Sequence, residues 1–229
     1  MHVLRSLIFY AVFYLGSALY VLAAVLAIRL APSRLKPISN AWSGFHHRCV
    51  KTLLGIRIEI TGDRPDGAYL FAIKHEAFFE AIAILTLFEN PAGFAKTELF
   101  DIPGWGKVAR AYGAIPVERD KGAKALRFML KEVRPFIEQG RPIIIFPEGT
   151  RVQHGKRVPL QSGFAALYKL LGLSVVPVAV DSGKSYQKRW KKGGPIRIHF
   201  GEPIPSGLPR EEIEALTLEG INALNAPES

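Results

Sequence analysis

The sequence predicts an α/β protein with a mostly parallel central sheet flanked by helices, preceded by an N-terminal membrane helix or two-helix membrane motif. Short apolar runs alternate with helical patterns from residue 55 onward. One uncharged run near the N-terminus is long enough for a bilayer. The composition, 48% hydrophobic and 22% charged, is that of a folded chain. We therefore expect membrane-anchoring helices in residues 1–54 and a globular domain in residues 55–229.

The uncharged run covers residues 6–28 and is bounded by Arg5 and Arg29. As a helix it would be about 35 Å long, enough for a hydrocarbon core of about 30 Å. A cleaved signal peptide has a shorter apolar core, and a buried helix would need apolar protein around all its faces. Basic residues are more numerous after the run than before it. This bias predicts a protein of the inner (cytoplasmic) membrane whose body faces the cytoplasm.

A shallow hairpin is the alternative to a spanning helix. Pro32 and Pro37 interrupt the chain, and residues 38–54 have the pattern of a second helix that could lie along the interface. We expect His46 and His47 on a solvated or interfacial face of this helix. The chain has one cysteine and scattered histidines, which offer no metal-ligand set, so no metal site and no disulfide is expected.

The body alternates strands with helices, which is typical of a parallel sheet. Short apolar or alternating runs predict strands at 56–60, 69–73, 92–96, 113–117, 142–146, 174–180 and 196–200. Helical patterns cover 76–89, 121–139, 161–171 and 211–224, whereas Pro and Gly interrupt residues 97–106. Ligands bind at the carboxyl ends of such strands, so the polar residues that follow each strand are the candidates for chemistry.

His75 and Glu80 follow the strand at 69–73. A histidine and a carboxylate can act as a base and the group that orients it. Within one helix the two would lie about 140° apart, so contact requires His75 to precede the helix and Glu80 to lie in its second turn. Glu80 is surrounded in sequence by apolar residues, and a buried carboxylate needs a partner. The alternative is a strand-end histidine that only caps the helix.

Three other strand ends carry charge. Phe146-Pro147-Glu148-Gly149-Thr150-Arg151 follows the strand at 142–146, Arg119 follows the strand at 113–117, and Lys96 ends the strand at 92–96. An arginine can grip a phosphate through two parallel hydrogen bonds. Lys96, Arg119 and Arg151 together would form an anion site, whereas each alone would be ordinary surface charge. The alternative for residues 147–151 is a turn with a surface ion pair.

Taken together, these segments resemble the 1-acylglycerol-3-phosphate acyltransferase family. Its four blocks appear in order over residues 55–205: His75 to Glu80, an HX4E motif; Gly113 to Arg119; Phe146 to Arg151; and Val175 to Val178. In the first block the family usually has Asp where this chain has Glu80, and often Asn where it has Lys74. One extra methylene still permits contact between Glu80 and His75.

The resemblance implies a glycerophosphate acyltransferase-like fold and an acyltransferase catalytic domain in residues 55–229. His75 would be the general base for the free hydroxyl of lysophosphatidate, and Glu80 would orient and charge-stabilise it. The acceptor phosphate would be held by Arg119 and Arg151 with help from Lys96. Glu148 and Gly149 would shape the glycerol end of the site. A weaker implication places Pro177 on the acyl-donor side.

The resemblance also implies which small molecules and surfaces the chain meets. The hydroxyl would attack an acyl thioester directly, with acyl carrier protein or coenzyme A as the carrier and no other cofactor. The product would be phosphatidate, within phospholipid biosynthesis. Another lysophospholipid, or a lyso-ornithine lipid, is the alternative acceptor. A thioester hydrolase that uses His75 with water is a further alternative.

The net charge of +10 fits an anionic partner. Residues 184–197 contain six bases and no acid, which leaves a charge-driven membrane or nucleic-acid binding module as the non-enzymatic alternative. The run matches no nucleic-acid motif, and anionic lipid headgroups explain it more simply. We therefore expect a phospholipid bilayer, a lysophospholipid and an acyl thioester as partners, and no nucleic acid.

Overall fold

Seven strands form one sheet in the computed structural model, which describes residues 1–118, 121–186 and 189–225. The strands are β1 Ile56–Thr61, β2 Leu70–Ile73, β3 Ala92–Lys96, β4 Ala114–Val117, β5 Ile143–Ile145, β6 Val175–Val180 and β7 Gly194–Phe200. Their order across the sheet is β1-β7-β6-β2-β5-β3-β4. Neighbouring strands are parallel except β6 and β7. The predicted mostly parallel sheet is confirmed, and its mixed edge was not predicted because apolar periodicity carries no information about strand direction.

Helices cover both faces of this sheet. They are α1 His2–Leu30, α2 Leu35–Leu54, α3 Phe78–Leu87, α4 Trp105–Tyr112, α5 Gly122–Glu138, α6 Gly163–Leu171 and α7 Arg210–Ile221. Alternate residues of β2 belong to two different apolar clusters. Phe71 and Ile73 pack with residues of α1, α2 and α3, whereas Leu70 and Ala72 pack with residues of α5, α6 and α7. Burial on both faces explains why the central strands are continuous apolar runs.

Helix α4 overlaps only the end of the segment 97–106, where Pro and Gly predicted irregular structure, and continues through residues for which no element was predicted. The helix begins after Gly104, whose φ of 75° favours glycine, and it ends at Gly113. A side chain at Gly104 would also meet Val21 of α1, with a Cβ 2.8 Å from its Cγ1. The glycines thus mark the two ends of a short helix rather than a continuous loop.

Helices α1 and α2 form an antiparallel hairpin. The rings of Phe13 and His46 lie 4.8 Å apart, Trp42 Nε1 donates to Ser17 Oγ at 2.9 Å, and Gly16 packs directly on Phe45. Pro37 lies in the first turn of α2, where a missing N–H costs no helical hydrogen bond, so α2 begins at Leu35 rather than at residue 38.

Much of the outer surface of α1 is apolar and exposed. Among the described residues, α1 is the one helix long and apolar enough to cross a membrane by length and composition. The exposed apolar side chains of α1 are Val3, Leu4, Leu7, Ile8, Val12, Tyr14, Leu15, Leu19, Leu22, Leu26 and Leu30. Its opposite side packs on the protein, so the helix presents a broad apolar surface that no described residue covers.

The hairpin shares a core with the rest of the chain. Phe9 of α1 and Phe79 of α3 belong to one apolar cluster. Ser6 Oγ accepts a hydrogen bond from the Lys191 amide at 2.8 Å, and Tyr10 donates to the Arg189 carbonyl at 2.7 Å. The predicted boundary coincides with the end of α2 at Leu54. The division into two domains stays a prediction, since packing is continuous across that boundary.

His46 is not on the interfacial face that the sequence predicts. It is 1% exposed, and its Nε2 lies 2.8 Å from the Tyr186 hydroxyl. Burial lowers the pKa of His46 to about 3. The ring is therefore a neutral packing group between α2 and the segment that follows β6, whereas His47 beside it is only partly buried.

Candidate active site

His75 is placed by the end of β2, the central strand. The four residues of β2 are buried, and the Lys74 amide extends the pairing by donating to the Val178 carbonyl at 2.9 Å. The chain then leaves the sheet, and α3 begins three residues after His75. The histidine thus lies at the carboxyl end of a parallel strand, where open α/β sheets bind ligands.

Glu80 reaches back from α3 to His75. His75 Nδ1 and Glu80 Oε1 are 3.1 Å apart, although Glu80 lies in the first turn of the helix and not the second. The same oxygen accepts hydrogen bonds from the amides of Glu76 and Ala77, the latter at 2.6 Å. This is the helix-start contact of a capping box, in which a glutamate at the third position holds the residue before the helix. The carboxylate thus caps α3 and orients the histidine at once.

The environment of this pair is suited to a base. Glu80 is 1% exposed, and its donors compensate for the loss of water around a buried carboxylate. The His75 ring stacks on Phe146, with centroids 4.3 Å apart, and keeps 17% of its side chain exposed. Because Nδ1 faces Glu80, Nε2 is the nitrogen on the side away from the carboxylate. The arrangement can accept a proton at Nε2 and stabilise the resulting charge through Glu80.

Glu148 lies behind His75 rather than in open space. Its Oε2 accepts the His75 amide at 3.0 Å, and its Oε1 lies 2.6 Å from Lys74 Nζ. The ammonium of Lys74 also donates to Asn222 Oδ1 at 2.9 Å. Both oxygens of Glu148 therefore accept hydrogen bonds from the protein itself, one from Lys74 and one from the His75 amide. Its expected place at the glycerol end of the site stays a prediction.

The turn after β5 requires glycine at position 149. Gly149 has a φ of 72°, and a Cβ there would come within 2.6 Å of Gln161 Cγ. Three residues later the Val152 amide donates to the His75 carbonyl at 2.7 Å, which places this loop beside the histidine. Arg151 is exposed, and its guanidinium lies 4.4 Å from the centre of the Phe78 ring. Arg151 is thus a cation next to the His75–Glu80 pair.

Of the remaining predicted site residues, Lys96 and Pro177 make their observed contacts with residues other than His75. Lys96 is 53% exposed and pairs with Glu98 at 2.7 Å, on a strand that β5 separates from β2. Arg119 lies outside the described residues. Pro177 is buried in β6 against Gly201 and Gly220, so its observed contacts belong to the core. Nothing in these contacts tests the roles that the resemblance implies for these residues.

Three site residues were missed by sequence reasoning. Ser182 donates to Glu80 Oε2 at 2.8 Å. Glu76 is buried, accepts the Gly183 amide at 2.7 Å and lies 3.0 Å from His154 Nδ1. Burial raises the pKa of Glu76 to about 8 and lowers the pKa of His154. Ser182 and Gly183 directly follow β6, so the expectation that functional residues follow the carboxyl ends of strands could have identified them. No sequence pattern indicated His154.

Comparison with known proteins identifies the family of the chain. The model of the family described as Acyltransferase matches residues 56–181. A 1-acyl-sn-glycerol-3-phosphate acyltransferase of Pseudomonas aeruginosa is 27% identical over 207 residues, covering 86% of this chain and 79% of the relative. The Helicobacter pylori protein of the same name is 29% identical over 144 residues, covering 62% and 60%. The human alpha form is 25% identical over 175 residues, covering 73% and 62%.

A solved structure has the same fold. The crystal structure of the 1-acyl-sn-glycerophosphate (LPA) acyltransferase PlsC from Thermotoga maritima superposes with a TM-score of 0.75 and 22% sequence identity, covering 100% of both chains. The likeness therefore includes the N-terminal hairpin as well as the sheet. At this identity it bears on fold alone.

Proposed function

Because the chain belongs to the acyltransferase family, we propose that it transfers an acyl chain from a thioester to the free hydroxyl of lysophosphatidate. The product is phosphatidate, and the reaction is a step of phospholipid biosynthesis. The observation that carries the proposal is the contact of 3.1 Å between His75 Nδ1 and Glu80 Oε1 at the end of β2. The names of the curated relatives support lysophosphatidate as the acceptor.

The chemistry assigns one role to each member of the pair. His75 Nε2 takes the proton of the acceptor hydroxyl as that oxygen attacks the thioester carbonyl. A carbon–oxygen bond forms, the tetrahedral intermediate collapses, and the carbon–sulfur bond breaks. The proton on His75 passes to the leaving thiolate. Glu80 stabilises the transient imidazolium and keeps Nδ1 as the donor nitrogen.

The acyl chain moves directly from donor to acceptor. The one cysteine, Cys49, is buried in α2, and burial raises the pKa of its thiol, which disfavours a thiolate nucleophile. The donor is the thioester of acyl carrier protein or of coenzyme A, and the transfer needs no further cofactor and no metal. Pro177 remains the proposed marker of the donor side.

The position of Arg151 beside the pair supports a phosphate site for a phosphorylated acceptor. Arg151 lies over Phe78 and directly precedes the residue whose amide binds the His75 carbonyl. Its guanidinium can bind two phosphate oxygens at once. Arg119 and Lys96 complete the proposed anion site, and Glu148 with Gly149 shapes its glycerol end.

The α1–α2 hairpin supports attachment to one leaflet of a bilayer rather than a spanning helix. Contacts with the body are spread along α1, from Ser6 with Lys191 to Val21 with Gly104. A helix packed on the body along its length cannot cross the bilayer while the body stays on one side. The exposed leucines would enter the hydrocarbon, and the body would face the cytoplasm at the inner membrane.

One assay tests the reaction and its alternatives together. The purified full chain in lipid vesicles is given lysophosphatidate and a labelled acyl group on acyl carrier protein or coenzyme A. Formation of labelled phosphatidate is the expected result. Transfer only to another lysophospholipid or to a lyso-ornithine lipid would correct the acceptor, and free fatty acid that forms without an acceptor would identify a hydrolase.

The membrane placement has its own test. In a Cys49→Ser chain, Val3→Cys is labelled with a membrane-impermeant maleimide in membrane vesicles whose cytoplasmic side faces outward. Labelling from that side supports the one-leaflet hairpin. Labelling only from the opposite side would establish a spanning helix.

A further inference from the structure

The turn after β6 reaches the catalytic pair from the neighbouring strand. β2 and β6 are adjacent and parallel, so their carboxyl ends meet at the same edge of the sheet. β6 ends at Val180, and the 3-10 helix Ser182–Lys184 then passes the beginning of α3. Ser182 is fully buried there, although it is 102 residues away from Glu80 in the chain.

The two oxygens of Glu80 are held by different parts of the fold. Oε1 binds the amides of Glu76 and Ala77 and faces His75 Nδ1, which are all local contacts. Oε2 accepts the Ser182 hydroxyl at 2.8 Å. Because Glu80 is 1% exposed, water has little access to replace that donor. The serine therefore fixes the rotation of the carboxylate about its last bond.

The turn that carries Ser182 is itself tied down. The Tyr186 amide donates to the Ser182 carbonyl at 2.7 Å, and the Gly183 amide donates to Glu76 Oε2 at 2.7 Å. A Cβ on Gly183 would lie 2.8 Å from that same Glu76 oxygen, so glycine permits the close approach. The hydroxyl is thus delivered to Glu80 by a packed turn rather than by a free loop.

We propose that Ser182 is a positioning residue of the His75–Glu80 pair, fixing Glu80 Oε2 so that Oε1 stays directed at His75 Nδ1. The inference rests on the acyl transfer proposed above. Ser182 contacts Glu80 rather than the reacting groups, so it would act only through Glu80. Loss of the hydroxyl should therefore slow the chemical step and leave the binding of both substrates largely unchanged.

The test compares Ser182→Ala with Ser182→Thr and Ser43→Ala in the full chain in lipid vesicles. We expect Ser182→Ala to lower kcat by about 10- to 100-fold with both KM values within about twofold. Threonine keeps the hydroxyl and should restore most of kcat. Ser43 is the matched control, since it is also buried and its hydroxyl binds the α3 carbonyl of Ile82 at 2.7 Å. Ser43→Ala should keep kcat.

A double substitution separates positioning from general damage. In a Glu80→Ala chain, Ser182→Ala should cause no further loss of kcat, because its effect passes through the absent carboxylate. If the double variant loses kcat by the product of the two single losses, the inference is overturned. It is also overturned if Ser182→Ala keeps full kcat, or if Ser182→Thr does not restore the kcat that Ser182→Ala loses.

A second readout needs no acceptor. The rate at which diethyl pyrocarbonate modifies His75, measured by mass spectrometry, should fall in both Ser182→Ala and Glu80→Ala, but not in Ser43→Ala. If the wild type acylates no lysophospholipid, the proposed function fails, and this rate alone decides the inference. An unchanged rate in Ser182→Ala then overturns it.

Discussion

Lys74 Nζ lies 2.6 Å from Glu148 Oε1, and neither side chain is exposed to solvent. The same ammonium donates to Asn222 Oδ1 and to the Lys156 carbonyl, while the second Glu148 oxygen accepts the His75 amide. Lys74 is therefore enclosed by protein oxygens and is not directed at an acceptor. Lys74, which directly precedes His75, is thus bound both to the loop after β5, through Glu148, and to the C-terminal end of α7, through Asn222.

Lys74→Met should lower the free energy of unfolding by about 3–5 kcal/mol, because Glu148 would keep a buried charge without its partner. Denaturant unfolding in detergent micelles measures the change. The control is Lys96→Met, which breaks an exposed pair with Glu98 and should cost less than about 1 kcal/mol. Equal effects of the two substitutions would contradict a stabilising role for the buried pair.

His75→Ala should reduce kcat by at least about 100-fold, since it removes the general base. Membrane binding should not change, because His75 lies outside the hairpin. Glu80→Asp should retain more activity than Glu80→Ala, although the shorter side chain weakens the contact at Nδ1. Initial rates of phosphatidate formation and vesicle flotation give the two readouts, and near-normal rates in His75→Ala would exclude the mechanism.

Arg151→Ala should raise the KM for lysophosphatidate by about 10- to 100-fold, as expected for the loss of a charge-assisted hydrogen bond to phosphate. The matched control is Arg110→Ala, since Arg110 also lies over an aromatic ring, Phe100, at 4.8 Å. Its KM should stay within about twofold. A KM that does not change in Arg151→Ala removes this residue from the phosphate site.

Glu76→Gln should flatten the dependence of stability on pH between about 6.5 and 8. Burial raises the pKa of Glu76 from 4.5 to about 8, so the folded chain holds a proton that the unfolded chain releases. Stability from this group therefore falls as pH rises, by at most about 1.4 kcal/mol per pH unit. Below pH 6.5 the lowered pKa of His154 acts in the opposite direction.

Unfolding midpoints across that window provide the measurement. Glutamine can still accept the Gly183 amide and donate to His154, so both hydrogen bonds survive the substitution. Glu219→Gln, which changes an exposed carboxylate on α7, serves as the control. Parallel curves for wild type and Glu76→Gln would contradict a protonated Glu76.

Leu15→Arg combined with Leu19→Arg should weaken vesicle binding by at least about tenfold, because charge in the hydrocarbon costs several kcal/mol. Both leucines are exposed, by 71% and 69%. Leu216→Arg on α7 places one such charge on an exposed leucine away from the hairpin and should bind normally. Equal binding of all three chains would show that this face of α1 does not enter the bilayer.

The sequence by itself determined the elements and the order of the motifs. The central strands follow from apolar runs, because burial on both faces selects continuous apolar residues. The outer strands β1 and β7 follow instead from the alternation of apolar and polar residues. His75 and Glu80 were identified by their place after a buried strand and by their spacing. Helix α4 was missed because Pro and Gly mark ends of elements without stating what lies between them.

Only the tertiary structure decided which partners meet at the site. Ser182 reaches Glu80, and Asn222 reaches Lys74, because strand order and helix packing bring together segments that are far apart in the chain. The burial of Glu148 behind His75 likewise depends on β2 and β5 being neighbours. Local propensity and periodicity act over a few residues, whereas these contacts depend on the path of the whole chain.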